Sequence, residues 1–223
     1  YFEAMAKTPL PDNLKRISVF EDFNEDFITL FQRLSVLHRN TVRAASPSIS
    51  LAFAYKSLNL EQLSVSFMAD ARYFFKVCRS QWTWERLQSL ALTSRVLTQT
   101  ASREEISDLL QDADTAAVHM PKLHTMALWN GAKGEACGFI YRKESDSAII
   151  TLQSTWDIKL EPRVIQTWER VTFKLWIREQ SLSCSTIRSH GDAIHHLGLP
   201  REVIDPVSLR QIRKEGAGSS SSI

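Results

Sequence analysis

The pattern L-x-x-L-x-L, with apolar residues at the first, fourth and sixth positions, recurs along the chain and limits its fold more than any other feature. It occurs in four segments: Leu14–Val19, Leu60–Val65, Leu87–Leu92 and Leu123–Leu128. This pattern is the core of leucine-rich repeats, in which each unit supplies one β-strand. The last two apolar positions are separated by one residue, as expected of a strand with one buried face. We therefore expect four strands.

The spacing of these segments is irregular. They start at residues 14, 60, 87 and 123, so the intervals are 46, 27 and 36 residues. A regular leucine-rich repeat has about 20–29 residues, and only the middle interval fits. The sequence thus predicts an α/β fold, built as an irregular leucine-rich-repeat-like array of strand–helix units.

Helical signals separate the strands. Ser102 and Glu105 have capping-box spacing, and an apolar stripe continues from them to Met120. Asp70 is placed to cap a helix over residues 71–78, and residues 24–38 carry another apolar stripe.

The chain changes character after the fourth strand. Asn130-Gly131 is a turn signal, and residues 136–142 and 148–156 predict a β-hairpin. Pro162 then opens a helix whose apolar face includes Trp168 and Trp176, which are both expected in the core.

Three regions follow from this organisation. Residues 1–130 are predicted to form the irregular array of strand–helix units. Residues 131–215 are predicted to form the hairpin and C-terminal helices, with short helices near 193–199 and 208–214, packed on that array. Residues 216–223 have a Gly/Ser composition typical of a flexible tail.

Bulk composition excludes several classes of protein. Lys plus Arg total 27 and Asp plus Glu total 25, so the net charge is +2 and gives no general reason to bind nucleic acid or an anionic membrane. No apolar run is long enough for a transmembrane helix. The three cysteines are widely spaced, which favours reduced thiols in the cytoplasm or nucleus. Because the chain starts at Tyr1 and not at Met, we expect it to be a fragment.

Recognisable catalytic chemistry is missing. No nucleophile elbow, HExxH sequence, Walker loop or dinucleotide fingerprint occurs, and we predict no catalytic residue and no cofactor. The sharpest polar group is His190, Asp192, His195 and His196, which suggests an alternative function as a hydrolase or metal-dependent enzyme. Solvated or locally paired histidines are the other interpretation.

Tryptophans supply the candidate binding residues, because exposed tryptophan is a frequent interface anchor. The candidates are Trp129 with the following Asn130, Trp156 with the following Asp157, and Trp82. Core packing is the alternative for each tryptophan.

Several strings resemble a family of uncharacterised filamentous-fungal proteins. They are LEQLSVSFMADARYFF from Leu60, WTWERLQSLALTS from Trp82, MPKLHTMALWNG from Met120 and LPREVIDPVSLRQI from Leu199. Members of that family typically begin with an F-box-like segment, which is not found in this chain. The resemblance implies a substrate-recognition subunit that reaches a ubiquitin-ligase linker protein through an upstream F-box.

We therefore expect a protein-binding module, with an unidentified protein target and with neither nucleic acid nor membrane as partner. The enzyme is one alternative. A structural, self-associating protein is the other, and it would expose a large apolar patch.

Overall fold

The computed structural model describes residues 10–11, 13–21 and 45–218. In these ranges the chain forms one seven-stranded mixed sheet whose strands follow chain order. The strands are β1 (Arg16–Phe20), β2 (Gln62–Ser66), β3 (Ser89–Thr93), β4 (Thr125–Ala132), β5 (Glu135–Lys143), β6 (Ala148–Ser154) and β7 (Leu175–Ser181). Strands β1 to β4 are parallel, β5 is antiparallel to both neighbours, and β7 runs parallel to β6.

Six α-helices accompany the sheet within the described ranges. They are α1 (Pro47–Ser57), α2 (Ala71–Lys76), α3 (Arg103–Ala117), α4 (Pro162–Trp168), α5 (His190–His196) and α6 (Pro206–Gly218). A mixed α/β fold is thus confirmed. No helix in the described part of the chain is both long and apolar enough to cross a bilayer.

Each L-x-x-L-x-L segment provides one of the parallel strands, as predicted. The fourth positions of neighbouring units pair in register, Ile17 with Leu63, Leu63 with Leu90 and Leu90 with Met126. All of these side chains lie on one sheet face, which we call the first face, and pack with helices α1 to α4 in the larger core. The fifth positions point to the opposite, second face, and all are small: Ser18, Ser64, Ala91 and Ala127.

Helices α2 and α3 begin at the predicted residues. The Asp70 carboxylate accepts a hydrogen bond from Arg72 N at 2.9 Å. Ser102 and Glu105 form the complete capping box. The sequence does not predict helix α1, because its apolar residues do not form a single stripe. The helix predicted over residues 24–38 lies outside the described residues.

Two predictions about the C-terminal part are wrong. Strand β4 continues through Asn130 and Gly131 to Ala132, and the chain turns at Lys133 and Gly134, where Gly134 has the φ of +77° that a tight hairpin requires. The helix that begins at Pro162 ends at Trp168 and does not reach Trp176.

Residues 175–181 instead form strand β7, because pairing with β6 outweighs the helical spacing of the apolar residues. Likewise, α6 extends through Gly218, into the region predicted to be a flexible tail. Strand β4 also crosses residue 130, so the sheet is continuous between the first two predicted regions.

The second face is covered over part of its width. Helix α5 packs on β4 and β5, and with α6 it buries a smaller core that contains Trp129, Ile140 and Leu197. The contact is close at Gly131, where a Cβ added to the glycine would lie 2.3 Å from the Cβ of Ala193. This cover ends before β6 and β7, and the uncovered strip is the feature of most functional interest.

Candidate functional site

The uncovered strip of the second face lies over β5, β6 and β7. Side chains along β6 alternate between buried and half-buried, and the half-buried ones, Ile149, Thr151 and Gln153, point to the second face. Their partners in β7, namely Trp176, Arg178 and Gln180, are exposed. We call these six residues, together with Arg142 of β5, the open face.

Trp176 is the main apolar feature of the open face. Its side chain remains 53% exposed, although it sits within a strand and pairs with Ile149. The Nζ atom of Lys174 lies 4.6 Å from the centre of its ring, as in a cation–π contact. The preceding Phe173 is fully exposed. A large exposed aromatic ring on a rigid strand is the usual anchor of a protein interface.

The open face is cationic. Arg142, Arg178 and the adjoining Lys174 contribute three positive charges, and none of its seven residues is acidic. The carboxylate of β7, Glu179, points to the other face, where its Oε1 accepts a hydrogen bond from Leu160 N at 2.9 Å. Arg142 Nη2 donates to the carbonyl of Gly198 at 3.1 Å and marks the border with the covered part. The face therefore suits a negatively charged ligand.

Polar contacts hold this surface in place. Gln153 Nε2 donates to Gln180 Oε1 at 2.6 Å, across β6 and β7. On the other side of β7, Leu175 and Ile177 pack against the larger core. The open face is thus a preformed part of the sheet, which lowers the ordering cost of binding.

Trp129, the first of the predicted partner contacts, lies in the protein interior. Its side chain is 0% exposed and packs edge-on against Phe67, with ring centres 5.2 Å apart. Phe67 has a positive φ of 67°, which is uncommon for a bulky residue, and its N–H donates to Thr93 Oγ1 at 2.7 Å. In this structure Trp129 belongs to the smaller core.

The other candidate residues lie at opposite ends of the strands. Asn130, Trp156 and Asp157 lie at the edge where β4 and β6 end. Asp157 is exposed, whereas Trp156 is half-buried and packs against the larger core. Trp82 precedes β3 and so lies at the opposite edge. The structure therefore does not bring the five candidates into one site.

Trp82 does form a small aromatic surface of its own. Its ring centre lies 6.2 Å from that of Tyr55, which is 66% exposed on α1, and 6.0 Å from that of the buried Trp84. Trp84 Nε1 donates to Ser57 Oγ at 2.7 Å, so this tryptophan ties α1 to the segment before β3. The surface has one exposed ring, that of Tyr55.

Asp192, the acidic residue of the histidine cluster, forms ion pairs with two arginines. Asp192 is buried, and its carboxylate oxygens accept hydrogen bonds from Arg188 Nε at 2.9 Å and Arg213 Nε at 3.0 Å. Burial alone would raise the pKa of Asp192, but these hydrogen bonds outweigh it and lower the pKa.

The histidines around Asp192 differ in exposure. His190 is buried, whereas His195 is exposed, and burial with the nearby Arg213 charge lowers the pKa of His195. In the described part of the chain, no three His, Cys, Asp or Glu side chains are placed to hold a metal ion.

A polar cavity of about 390 Å³ opens where β2 and β3 end. Asp70, Arg72, Arg95 and Glu105 supply its charged lining. The buried Asp70 carboxylate already accepts three hydrogen bonds, from Arg72 N, Ser94 Oγ and Arg95 N. Glu105 closes the capping box and lies 3.8 Å from Arg72. These charged groups pair with neighbouring residues and so stabilise the loops around the cavity. Their arrangement does not by itself indicate a ligand site.

Burial shifts the pKa of several groups away from the open face upward. Burial raises the pKa of the Cys137 and Cys78 thiols to about 12. Burial also raises the pKa of Asp114 on α3 to about 6, and its Oδ1 atom has no hydrogen-bond partner. The thiols are therefore poor nucleophiles at neutral pH.

Sequence reasoning missed the open face because it placed Trp176 on a helix. The segment Thr172-Phe173-Lys174-Leu175-Trp176-Ile177 is rich in residues with high β propensity, and this was the available signal. The concentration of positive charge was not visible, because Arg142 is brought to the same face as Lys174 and Arg178 only through strand pairing.

The fold and the open face define a mixed α/β protein with an exposed, basic end to its sheet. The model of DUF6546, a family of unknown function, matches residues 9–205, and the chain belongs to this family. The resemblance to an uncharacterised family is confirmed to that extent. Neither a curated protein nor a solved structure matched the chain.

Proposed function

We propose that this chain is a protein-binding module and that its partner contacts the open face. The observation that carries this proposal is Trp176, which is half exposed on a rigid strand beside Lys174 and Arg178. Aromatic and arginine side chains are enriched among the residues that dominate binding energy. Such a surface binds without needing a reactive group.

A more specific proposal is that β1 to β4 form an irregular leucine-rich-repeat-like array. The sequential order of parallel strands and the in-register apolar positions support it. Stacked strand–helix units form extended sheets suited to binding proteins. In this chain α5 and α6 cover part of the second face of that array, and the proposed binding surface lies at the β7 end.

We further propose that the module recognises substrates for an F-box-type ubiquitin ligase. The support for this is the sequence resemblance to fungal proteins that begin with an F-box-like segment. The F-box would bind the ligase linker, and the open face would bind the target.

The first experiment tests the open face directly. A photoreactive phenylalanine analogue placed at Trp176 is used to crosslink partners in cells, with the same analogue at Val118 as a control. Val118 is 55% exposed, which matches Trp176, but it lies at the end of α3. Crosslinked proteins specific to position 176 are then purified and titrated against the unmodified chain.

The proposal predicts that Trp176→Ala weakens this purified complex about 30-fold, since loss of an interface anchor costs about 2 kcal/mol or more. Tyr55→Ala removes an exposed ring elsewhere and should leave the affinity within about twofold. Equal crosslinking at both positions, or no effect of Trp176→Ala on affinity, would contradict the proposal.

The ligase proposal needs a separate experiment. The full-length protein is purified from its own cells and examined by mass spectrometry for the linker and a cullin. Recovery of both, lost when the segment upstream of Tyr1 is deleted, would support it. Failure, while a known F-box protein recovers both, would contradict it without affecting the open-face proposal.

A further inference from the structure

Strand β7 forms one edge of the described sheet. β7 is the last strand of the sheet, and no strand in the described ranges pairs with its outer side. Ala148 N donates to Lys174 O at 2.8 Å, and Leu182 N donates to Ser154 O at 2.7 Å. Backbone groups in a parallel strand alternate between its two sides, so the even-numbered residues bond to β6. The N–H and C=O groups of Leu175, Ile177, Glu179 and Ser181 therefore point outward.

An unpaired edge of this kind is a template for another strand. β7 is seven residues long, and from Arg178 onward all its side chains are exposed. The other edge strand, β1, has five residues, and Ser18 Oγ on its second face donates to the carbonyl of Glu202 at 3.1 Å. The loop that contains Glu202 thus contacts β1 on the second face of the sheet, although Ser18 itself stays exposed.

The side chains of β7 determine which strand would fit. An added strand would place alternate residues on the open face, beside Trp176, Arg178 and Gln180, where Lys174 and Arg178 favour carboxylates. Its other residues would lie beside Leu175 and Ile177, which favour β-branched or other apolar side chains.

We propose that the partner binds as an extended acidic segment that adds a strand to the free edge of β7, with carboxylates at alternate positions and apolar residues between them. Main-chain hydrogen bonds would supply affinity, and the alternating side chains would supply specificity. This inference rests on the proposed function and identifies the chemistry of its partner.

The test uses a defined probe, a fluorescein-labelled peptide Gly-Asp-Val-Glu-Ile-Asp-Val-Glu-Gly-amide, titrated against the purified chain by fluorescence anisotropy. Three comparison peptides separate the contributions. One has Lys in place of each acid, one has the same composition with its acids clustered at one end, and one is N-methylated at alternate residues to remove main-chain donors. We expect saturable binding of the first peptide, and at least about tenfold weaker binding of each comparison peptide.

Variants of the chain locate the site. Arg178→Glu should weaken binding at least about tenfold, because it replaces an attractive charge with a repulsive one. The matched charge reversal Lys122→Glu, at an exposed residue before β4, should have less than about a twofold effect. Circular dichroism and thermal unfolding of both variants verify that they remain folded.

Two outcomes would overturn the inference. Equal binding of the N-methylated and unmodified peptides would show charge attraction without strand addition. Absence of binding by the acidic peptide, while the purified partner still depends on Trp176, would refute an acidic strand and leave the proposed function standing. A partner that is insensitive to Trp176→Ala would instead refute the proposed function itself.

Discussion

The two faces of the sheet differ in side-chain size and in how they are covered. The first face carries large apolar side chains from every strand, and four helices cover it. The second face carries a central row of small residues across β1 to β4, Ser18, Ser64, Ala91 and Ala127, and two helices cover only part of it. The repeated motif therefore places large apolar residues in a deep core on one face. On the other face it places small residues, over which a helix can pack closely.

The covered and open parts of the second face differ in the same way. Over β4 and β5 the small residues Gly131 and Gly138 let α5 and the following Leu197 approach closely. Over β6 and β7 the corresponding positions hold polar or charged residues such as Thr151, Gln153 and Arg178. Burying those groups without partners would cost free energy, so this end stays exposed to solvent.

The first prediction concerns the first face and has the largest expected effect. Trp168 is fully buried, packs against Phe139 and Tyr141 with ring centres 5.1 and 5.0 Å away, and donates from Nε1 to Leu110 O. Trp168→Ala should lower the free energy of unfolding by about 3–5 kcal/mol. Urea denaturation followed by circular dichroism measures this loss. Trp176→Ala on the open face should cost less than about 1 kcal/mol, and similar losses at both positions would erase the distinction.

The second prediction concerns Asp192 of α5, which pairs with Arg188 just before that helix and with Arg213 of α6. Asp192→Asn should lower the free energy of unfolding at pH 7 by about 2–3 kcal/mol, because two charge-assisted hydrogen bonds are weakened. The pKa of Asp192 is lowered in the folded state, so its stabilisation is present above the unfolded pKa near 3.8 and is lost as the pH falls through the folded value.

Urea denaturation at a series of pH values checks this dependence. The difference in the free energy of unfolding between wild type and Asp192→Asn should shrink below about pH 4. Asp146→Asn, at an exposed residue of the β5–β6 turn, provides the matched control. A difference that stays constant to the lowest pH would indicate that the carboxylate charge is not responsible.

The third prediction tests the close contact between α5 and β4. Gly131→Ala places a Cβ 2.3 Å from that of Ala193, so α5 must shift, at a cost of about 1–3 kcal/mol. Hydrogen exchange should reveal lost protection in α5 and α6, with β2 and β3 little affected. The double variant Gly131→Ala/Ala193→Gly removes the clash and should restore part of that protection. A double variant that loses more stability than the two single variants together would argue against this contact.

The fourth prediction has the smallest effect and the opposite sign. Burial raises the pKa of Asp114 to about 6, so its ionised form destabilises the fold at higher pH, and stability from this group is lost as the pH rises through 6. Asp114→Asn should raise the free energy of unfolding at pH 8 by about 1–2 kcal/mol, less than the full pKa shift implies because Asn keeps the buried oxygen. Denaturation at pH 5 and pH 8 checks it, since an equal gain at both would refute ionisation as the cause.

Predictability from the sequence followed the strength of local signals. The L-x-x-L-x-L segments located β1 to β4, and the Ser102–Glu105 capping box located the start of α3, because each depends on neighbouring residues. The hairpin of β5 and β6 was also predicted nearly to its ends. The helix assigned to Trp176 failed because apolar residues at helical spacing were judged without knowing that β6 offered a pairing edge.

The candidate site was less predictable than the fold. Trp129 and Trp156 were chosen as tryptophans near strand ends, but burial depends on what packs over them, and Trp129 lies beneath the face that α5 and α6 cover. The residues of the open face lie between positions 142 and 180 and come from three strands. No local pattern in the sequence marks such a group.

The sequence by itself determined the parallel strands, their buried face and the start of α3, because periodicity and capping act over a few neighbouring residues. Only the tertiary structure decided which tryptophan is exposed, that Asp192 is paired with Arg188 and Arg213, and that Arg142 of β5 shares a sheet face with Arg178 of β7. Each of these depends on pairing or packing between distant segments, whose free energy is set by contacts that no local stretch of the chain contains.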